Sequence, residues 1–229
     1  MSRVQTVLDR YADGTPYERL AAAFLDLERW TGDDPVLLLA EAAASTTGQH
    51  YFTGVKPTVE RFRETFVDSG RVTTFSELAA LQLEDDALVE TVGAERKRHV
   101  LLEGARVFAD RPAGDDLEAL QSWASEADYY RYEEDPIGGI SGVGPATFQY
   151  LRMLAGVDTA KPDPAVTSFV ETIGDEIDSP YLDASDPRRA VASCEWLAIV
   201  SSYRTIEIDQ LAWWTSADAD EREAALASQ

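Results

Sequence analysis

A glycine-rich turn followed by two aspartates is the part of this sequence whose residue types could do chemistry. Residues 140–156 read ISGVGPATFQYLRMLAG, and VDTAKPDPAV follows over residues 157–166. The turn has the composition of an anion-binding site, and the carboxylates of Asp158 and Asp163 lie shortly after it.

The turn can bind an anion through its backbone. Gly142 and Gly144 bracket a tight turn in which φ can be positive and another molecule can approach closely. Pro145 suits the first position of a helix, so the amides around Gly144 lack intrahelical partners. These amides and the helix dipole favour a phosphate group at this point. A plain helix–helix turn without a ligand remains the alternative interpretation.

Asp163 stands directly before Pro164, which is typical of a helix N-cap followed by a first-turn proline. Asp34-Pro35 and Asp186-Pro187 repeat the pattern elsewhere in the chain. A capping role and a catalytic role are compatible, because a capping aspartate is rigidly held and ionised, as a catalytic carboxylate must be. The pattern therefore predicts a helix that begins at residue 163.

The composition predicts a folded, acidic protein adapted to concentrated salt. The chain has 229 residues, a net charge of −22 and only three lysines among its 20 basic residues. Such a charge normally argues against nucleic acid as a partner. In molar salt, however, the Debye length shrinks to about 3 Å, and counterion release rewards basic surfaces less. The charge does not exclude DNA.

Metal and disulfide chemistry have little support in the sequence. Cys194 is the only cysteine, so neither an internal disulfide nor a four-cysteine zinc or iron–sulfur site is possible. His50 and His99 are each isolated from other metal ligands. No signal peptide and no apolar run of 18 residues are found, so we expect a soluble, cytoplasmic protein without membrane contact.

The hydrophobic periodicity predicts an all-α protein of roughly ten helices with short links. Thr15-Pro16-Tyr17-Glu18 fits a capping box, and Asp34-Pro35 precedes an apolar run that must be buried. Gly93 is expected to separate a short helix from a long one. Only the letters IEI near residue 207 alternate like a strand. We expect a single unit over residues 1–229, with a division into two helical lobes left open.

One segment resembles a known family. ISGVGPATFQYLRML is similar to the helix-hairpin-helix of the DNA glycosylase superfamily that includes endonuclease III and the alkyl-adenine glycosylases, and KPDPAV resembles the KPDxHV found in some members. Upstream, LLLAEAAASTTGQHYFTGVKPTVERF resembles the helices that precede the hairpin. The resemblance is strongest over residues 137–170 and weaker over 34–175. It places the helix-hairpin-helix and the catalytic loop at about residues 129–170.

The resemblance implies a role for each part of this segment. In the family, the hairpin backbone binds duplex DNA and three carbonyls coordinate Na⁺ or K⁺. A catalytic aspartate follows after a helix and a loop. Asp163 lies 19 residues after Gly144, close to the family spacing, whereas Asp158 lies 14 after it and is the alternative. The implied DNA-binding residues are Gly142, Val143, Gly144, Pro145, Ala146 and Thr147, and the implied cation ligands are the carbonyls of Gly138, Ile140 and Val143.

The implied chemistry is hydrolysis of a base–sugar bond. A carboxylate would stabilise an oxocarbenium-like sugar after the base is rotated out of the duplex. Trp123, Tyr129, Tyr130 and Trp196 could stack on that base or belong to the core.

Several family features are missing from this chain. Ala146 replaces the lysine of members that also cleave the strand, Ala165 replaces a frequent histidine, and the iron–sulfur cluster is absent. We therefore expect a monofunctional DNA glycosylase without lyase activity. A catalytically inactive helix-hairpin-helix DNA-binding protein and an all-α interaction protein with no DNA role are the alternatives.

Overall fold

The computed structural model describes residues 2–227, and all regular structure in that range is helical, which confirms the all-α prediction. Two π-helical segments, Tyr51–Val55 and Arg63–Val67, extend α4 at its two ends, and a 3-10 helix spans Tyr129–Glu134. The α-helices, numbered in chain order, are α1 (Arg3–Ala12), α2 (Tyr17–Leu25), α3 (Pro35–Ser45), α4 (Lys56–Phe62), α5 (Phe75–Ala79), α6 (Asp86–Val92), α7 (Glu95–Ala109), α8 (Asp116–Glu126), α9 (Pro145–Leu154), α10 (Pro164–Ile177), α11 (Pro187–Val200), α12 (Thr205–Ser216) and α13 (Ala219–Ala227).

The aspartate–proline pairs begin helices as predicted. Asp34, Asp163 and Asp186 are the N-caps of α3, α10 and α11, and each accepts hydrogen bonds from two first-turn amides. Each carboxylate thereby satisfies donors that have no partner within the helix. The following proline sits at the position where its missing N–H costs nothing.

Two other local predictions had opposite outcomes. Gly93 ends α6 with φ +79°, so the predicted break between a short and a long helix is confirmed. The predicted capping box at Thr15 is wrong, because α2 begins at Tyr17 with Pro16 as its N-cap and has no side-chain cap. The hydroxyl of Thr15 donates instead to the carbonyl of Ala12 at 2.9 Å, so the competing turn uses the group that a capping box needs.

The described chain packs as two compact helical units, one formed by residues 31–155 and the other by residues 2–30 with 156–227. The hairpin segment belongs to the first unit and Asp163 to the second. The strand-like letters near residue 207 lie within α12, because three alternating residues do not outweigh a helix that buries almost every side chain of its first two turns.

The unit of residues 31–155 is built around α3. This helix is buried along its length from Val36 to Ala44 and packs against α4, α7 and α9. A chain of aromatic contacts connects the surrounding helices, with ring centroids 5.1 to 5.4 Å apart. Its members are Phe75, Phe108, Trp123 and Phe148. Since burying such a side chain stabilises the fold by about 1.5–3 kcal/mol, this aromatic chain holds α9 firmly.

The second unit is organised around α12. This helix packs against α2, α10 and α11, and its Ile208 and Leu211 are fully buried. The apolar residues that complete the core come from α1, α10 and α11 and include Leu8, Val166, Ile173, Cys194 and Leu197. The core therefore fixes the start of α10, which carries Asp163, against the start of α12.

Candidate functional site

A short 3-10 helix leads into the predicted hairpin. It spans Tyr129–Glu134, and Arg131 within it departs from helical geometry with φ −122° and ψ 28°. The carboxylate of Asp135 then accepts hydrogen bonds from the indole N–H of Trp123 at 3.1 Å and from the N–H of Ile137 at 2.8 Å. Through Asp135, these bonds attach the segment between the 3-10 helix and the hairpin, residues 135–137, to Trp123 on the buried face of α8.

Two glycines of the hairpin are required by its geometry. A Cβ at Gly138 would lie 1.8 Å from the carbonyl oxygen of Tyr132, so only glycine allows that approach. Gly142 has φ +105°, and a Cβ there would lie 3.0 Å from Val100 Cγ2. The turn itself is closed by a hydrogen bond of 2.9 Å from the N–H of Val143 to the carbonyl of Ile140. The glycine cluster of the sequence therefore has a steric cause.

Gly144 differs from those two glycines. It is the N-cap of α9 with φ −112° and ψ 178°, an extended conformation that any residue adopts. The prediction that its φ could be positive is wrong, and a Cβ added there would meet no atom within 4 Å. Its lack of a side chain leaves the start of α9 without a side-chain cap. The first-turn amides of Ala146 and Thr147 are thus available to an external anion.

The predicted DNA-binding residues are gathered on this one turn. Residues 142–146 are half-buried, and Thr147 is only 8% exposed, so its backbone amide rather than its hydroxyl is the group suited to a ligand. Arg96 of α7 donates to the carbonyl of Gly142 at 2.9 and 3.3 Å. It brings an exposed guanidinium to a turn that has no basic residue of its own.

The predicted cation ligands Gly138, Ile140 and Val143 also lie on this turn. The carbonyl of Ile140 accepts one hydrogen bond, from Val143, and keeps a second lone pair for a cation. Backbone oxygens alone suit a hard monovalent ion. In the described range, 2–227, His, Cys, Asp and Glu form no cluster that would hold a metal.

Asp163 is held at both carboxylate oxygens. Oδ1 accepts hydrogen bonds from the N–H groups of Ala165 at 3.0 Å and Val166 at 3.2 Å, and Oδ2 lies 3.6 Å from Nζ of Lys161. The side chain is 27% exposed. Two backbone amides and the ammonium group of Lys161 therefore contact the carboxylate, which remains partly exposed to solvent.

Asp158 has a different position. Its Oδ1 accepts the N–H of Ile206 at 2.8 Å and so caps the start of α12, 48 residues further along the chain. A carboxylate used in this way fixes the loop between α9 and α10 to another helix. This structural role favours Asp163 over Asp158 as the reactive carboxylate.

Asp209 was not among the candidates from the sequence, yet it lies against the same loop. Its Oδ1 accepts the N–H of Lys161 at 2.8 Å, and its side chain is buried within α12. Burial, and then the charge of Asp163, raise the pKa of Asp209 from the ordinary 3.8 to about 7. An acid inside the apolar stretch around IDQLAWW was the signal that could have found it.

The thiol of Cys194 lies in the same surroundings. Burial raises its pKa, and the charges of Asp209, Glu195 and Asp163 add to that rise. The thiol is therefore neutral and unreactive as a nucleophile, which fits its place in the core of this unit.

The predicted aromatic partners divide between core and surface. Trp123 and Tyr129 are buried, and Trp123 contacts Phe108 and Phe148. Tyr130 is exposed, and the ring of Trp196 stacks on the exposed Tyr181 at 5.7 Å. Trp123 and Tyr129 therefore serve the core, and Tyr130 and Trp196 keep an accessible face.

A pocket of about 350 Å³ lies beside the lead-in to the hairpin. Arg111 pairs there with Glu126, and Arg131 pairs with Glu134. Because its positive charges are neutralised in pairs, the pocket has no net attraction for phosphate. The lining residues are Arg111, Trp123, Glu126, Ala127, Asp128, Arg131, Glu134, Asp135 and Pro136.

No family model, curated protein or solved structure matches this chain. Among the helices of residues 2–227, none combines the length and apolar character needed to cross a bilayer.

Proposed function

We propose that this protein binds duplex DNA through the turn at the start of α9 and hydrolyses the base–sugar bond of a damaged nucleotide with Asp163 as the catalytic carboxylate. The observation that carries the proposal is the bare N-terminus of α9. Helices α3, α10 and α11 also begin with proline, and an aspartate caps each of them. Only α9 among these four has glycine in that place, and it leaves its amides to a phosphate.

Main-chain recognition suits the charge of this protein. With a net charge of −22, the chain cannot rely on a basic surface to attract DNA. A phosphate held by amides and a helix dipole depends less on long-range attraction, which salt screens. The guanidinium of Arg96, fixed on the carbonyl of Gly142, places one positive charge at the same turn.

The proposed reaction consumes one water molecule and releases the free base and an abasic sugar. The bond between the anomeric carbon and the base nitrogen breaks, and the electron pair leaves with the base, which takes up a proton. Asp163 stabilises the cationic sugar and orients the water that attacks it. The residue at the position of the family's lyase lysine is Ala146, whose methyl group cannot form an imine, so the strand stays intact by this route.

A second candidate function is DNA binding without catalysis. The observation that favours it is that both oxygens of Asp163 already have partners, namely two amides and Lys161. In this second function Asp163 only caps α10, and the protein acts solely by binding DNA through the turn at the start of α9.

The two functions are separated by one pair of measurements on the wild-type protein in molar KCl. Equilibrium binding is measured on fluorescent duplexes, and base release is measured on duplexes that carry alkylated, deaminated or oxidised bases. We expect binding to all of them and release from at least one. Binding without any release favours the non-catalytic candidate, and the absence of binding to every duplex contradicts both.

A monovalent cation at the hairpin would strengthen phosphate binding by adding positive charge beside the amides. The carbonyls of Gly138, Ile140 and Val143 are the proposed ligands. DNA affinity should then be higher in KCl or NaCl than in tetramethylammonium chloride at equal ionic strength, because the large organic ion cannot be coordinated by carbonyls. Equal affinity in the three salts would contradict the cation site while leaving the amide contact intact.

A further inference from the structure

Asp209 is an acidic residue in an apolar environment. It lies on α12 between the fully buried Ile208 and Leu211, and it is only 6% exposed. A carboxyl group in such a place is costly unless hydrogen bonds compensate for the lost water. Two bonds do so here: Oδ1 accepts the N–H of Lys161 at 2.8 Å, and Oδ2 accepts the side-chain amide N–H of Gln210 at 2.9 Å.

The bond to Lys161 belongs to a reciprocal pair of contacts. Asp158 of the loop accepts the N–H of Ile206 on α12, and Asp209 of α12 accepts the N–H of Lys161 on the loop. The loop is thus tied to α12 at two points. Directly after the second point, the N–H of Asp163 donates to the carbonyl of Lys161 at 2.8 Å, so the tie at Lys161 also sets the backbone of Asp163.

Titratable groups from three elements interact with Asp209. Asp163 at the start of α10 interacts unfavourably with an ionised Asp209, and Lys161 of the loop interacts favourably with it. Cys194 of α11 faces the same pair and is neutral. Burial is the largest effect, and Asp209 therefore carries a proton below about pH 7.

We propose that Asp209 is a positioning residue for Asp163, which it places by binding the main chain of the loop at Lys161. The hydrogen bond from the N–H of Lys161 to the carboxyl group of Asp209 fixes the backbone of Lys161 and, through it, the position of Asp163 at the start of α10. The catalytic consequence rests on the proposed function, whereas the positioning of the loop is independent of it.

Two substitutions separate the hydrogen bond from the charge. Asp209→Ala removes the acceptor for Lys161, whereas Asp209→Asn keeps an acceptor oxygen and removes the titration. Glu207→Ala is the matched control, because Glu207 is also a largely buried acid of α12 but binds Arg204 rather than the loop. Hydrogen exchange of the Lys161 amide, base release in single turnovers and duplex affinity are measured for each protein.

With Asp209→Ala we expect Lys161 amide exchange to accelerate by about tenfold or more. Base release should slow by about tenfold to a hundredfold, because a small misplacement of a reacting group is costly, while duplex affinity stays as in the wild type. Asp209→Asn should keep the slow exchange and release base within a few-fold of the wild-type rate. Wild-type exchange in Asp209→Ala, or an equal acceleration in Glu207→Ala, would overturn the proposal.

The pH dependence of base release gives a readout that a purely structural role would not move, and the pH dependence of stability shows whether Asp209 titrates as expected. Because the folded state holds the proton of Asp209 more tightly than the unfolded chain, wild type should lose stability relative to Asp209→Asn as pH rises from about 4 to 7 and show no further relative loss above that. The release rate of the wild type should change near pH 7 and that of Asp209→Asn should not, because ionisation of the neighbour changes the potential at Asp163. Parallel release-rate profiles for the two proteins would overturn the proposal.

The outcomes distinguish failure of this proposal from failure of the proposed function. If the wild type releases no base from any duplex, the glycosylase function fails, and the exchange rate of the Lys161 amide still decides whether Asp209 holds the loop. If Asp209→Ala does not fold, Asp209→Leu takes its place, because leucine also removes the acceptor for Lys161 while keeping a similar volume among apolar neighbours; wild-type exchange of the Lys161 amide in that variant would overturn the proposal.

Discussion

The starts of α9 and α10 are nearly the same in backbone and opposite in chemistry. Gly144 before α9 has φ −112° and ψ 178°, and Asp163 before α10 has φ −106° and ψ 178°. Proline occupies the first position of both helices. The carboxylate of Asp163 accepts hydrogen bonds from two amides of its own helix, whereas Gly144 has no side chain to cap the equivalent amides of α9.

The comparison shows that one side chain decides whether a helix start is satisfied from within or is available for binding. Both starts carry the same partial positive charge from the helix dipole. In α10 that charge stabilises a protein carboxylate, which in the proposed function acts on the sugar. In the proposed function, the charge at the start of α9 attracts a phosphate group of the same DNA. Four substitutions test this difference between the start of α9 and the start of α10.

Asp163→Asn tests the α10 side and should have the largest effect. The amide retains the N-cap hydrogen bonds, so stability should change little. Loss of the charge beside the developing cation should slow base release by about 10²–10³ without weakening duplex binding. Asp186→Asn is the control, since it changes an equivalent aspartate–proline cap in the same unit. An equal loss of rate in Asp163→Asn and Asp186→Asn would mean that the effect comes from changing a helix cap and not from loss of a catalytic group.

Gly144→Asp tests the α9 side by making its start like that of α10. A side chain fits there without strain, because the backbone is extended and the space around Cα is open. The new carboxylate should take up the first-turn amides and repel phosphate, so duplex affinity should fall about 10- to 100-fold on every sequence, as expected for loss of hydrogen bonds to a charged group. Gly144→Ala adds only a methyl group and should bind nearly as the wild type does. Full duplex affinity in Gly144→Asp would contradict phosphate binding at this turn.

Gly142→Ala tests which glycine shapes the hairpin. Because φ is +105° at Gly142, an alanine there should lower the free energy of unfolding by about 1–2 kcal/mol. Gly144→Ala, at an extended residue of the same turn, should not lower it. Urea unfolding in high salt measures both. Similar values for the two variants would mean that the backbone of the turn differs from the geometry described above.

Asp158→Ala should have the smallest effect. It removes the cap on Ile206 and should lower the free energy of unfolding by about 1 kcal/mol. Asp158→Asn keeps an acceptor and should leave stability and base release close to wild-type values. If Asp158→Asn abolishes release while Asp163→Asn does not, the wrong aspartate of the loop has been assigned to catalysis.

Some features of this molecule could be predicted from short stretches of sequence. The helical class, the helix starts at Asp34, Asp163 and Asp186 and the break at Gly93 follow from capping and φ preferences that act within about four residues. Thr15 shows where this approach fails. Its sequence fits a capping box, but its hydroxyl has a competing acceptor in the preceding turn, the carbonyl of Ala12, and the pattern does not reveal which partner is preferred.

The sequence by itself determined that Asp34, Asp163 and Asp186 begin helices and that α9 follows a glycine, which offers no side-chain cap. Only the tertiary structure decided that Asp158 caps α12, that Asp209 binds the loop at Lys161, and that Gly142 rather than Gly144 carries the positive φ. The physical reason is the separation along the chain between the residues that interact. A cap depends on neighbouring residues, whereas Asp158 and Asp209 bind partners 48 residues away, and core packing selects which partner each of them meets.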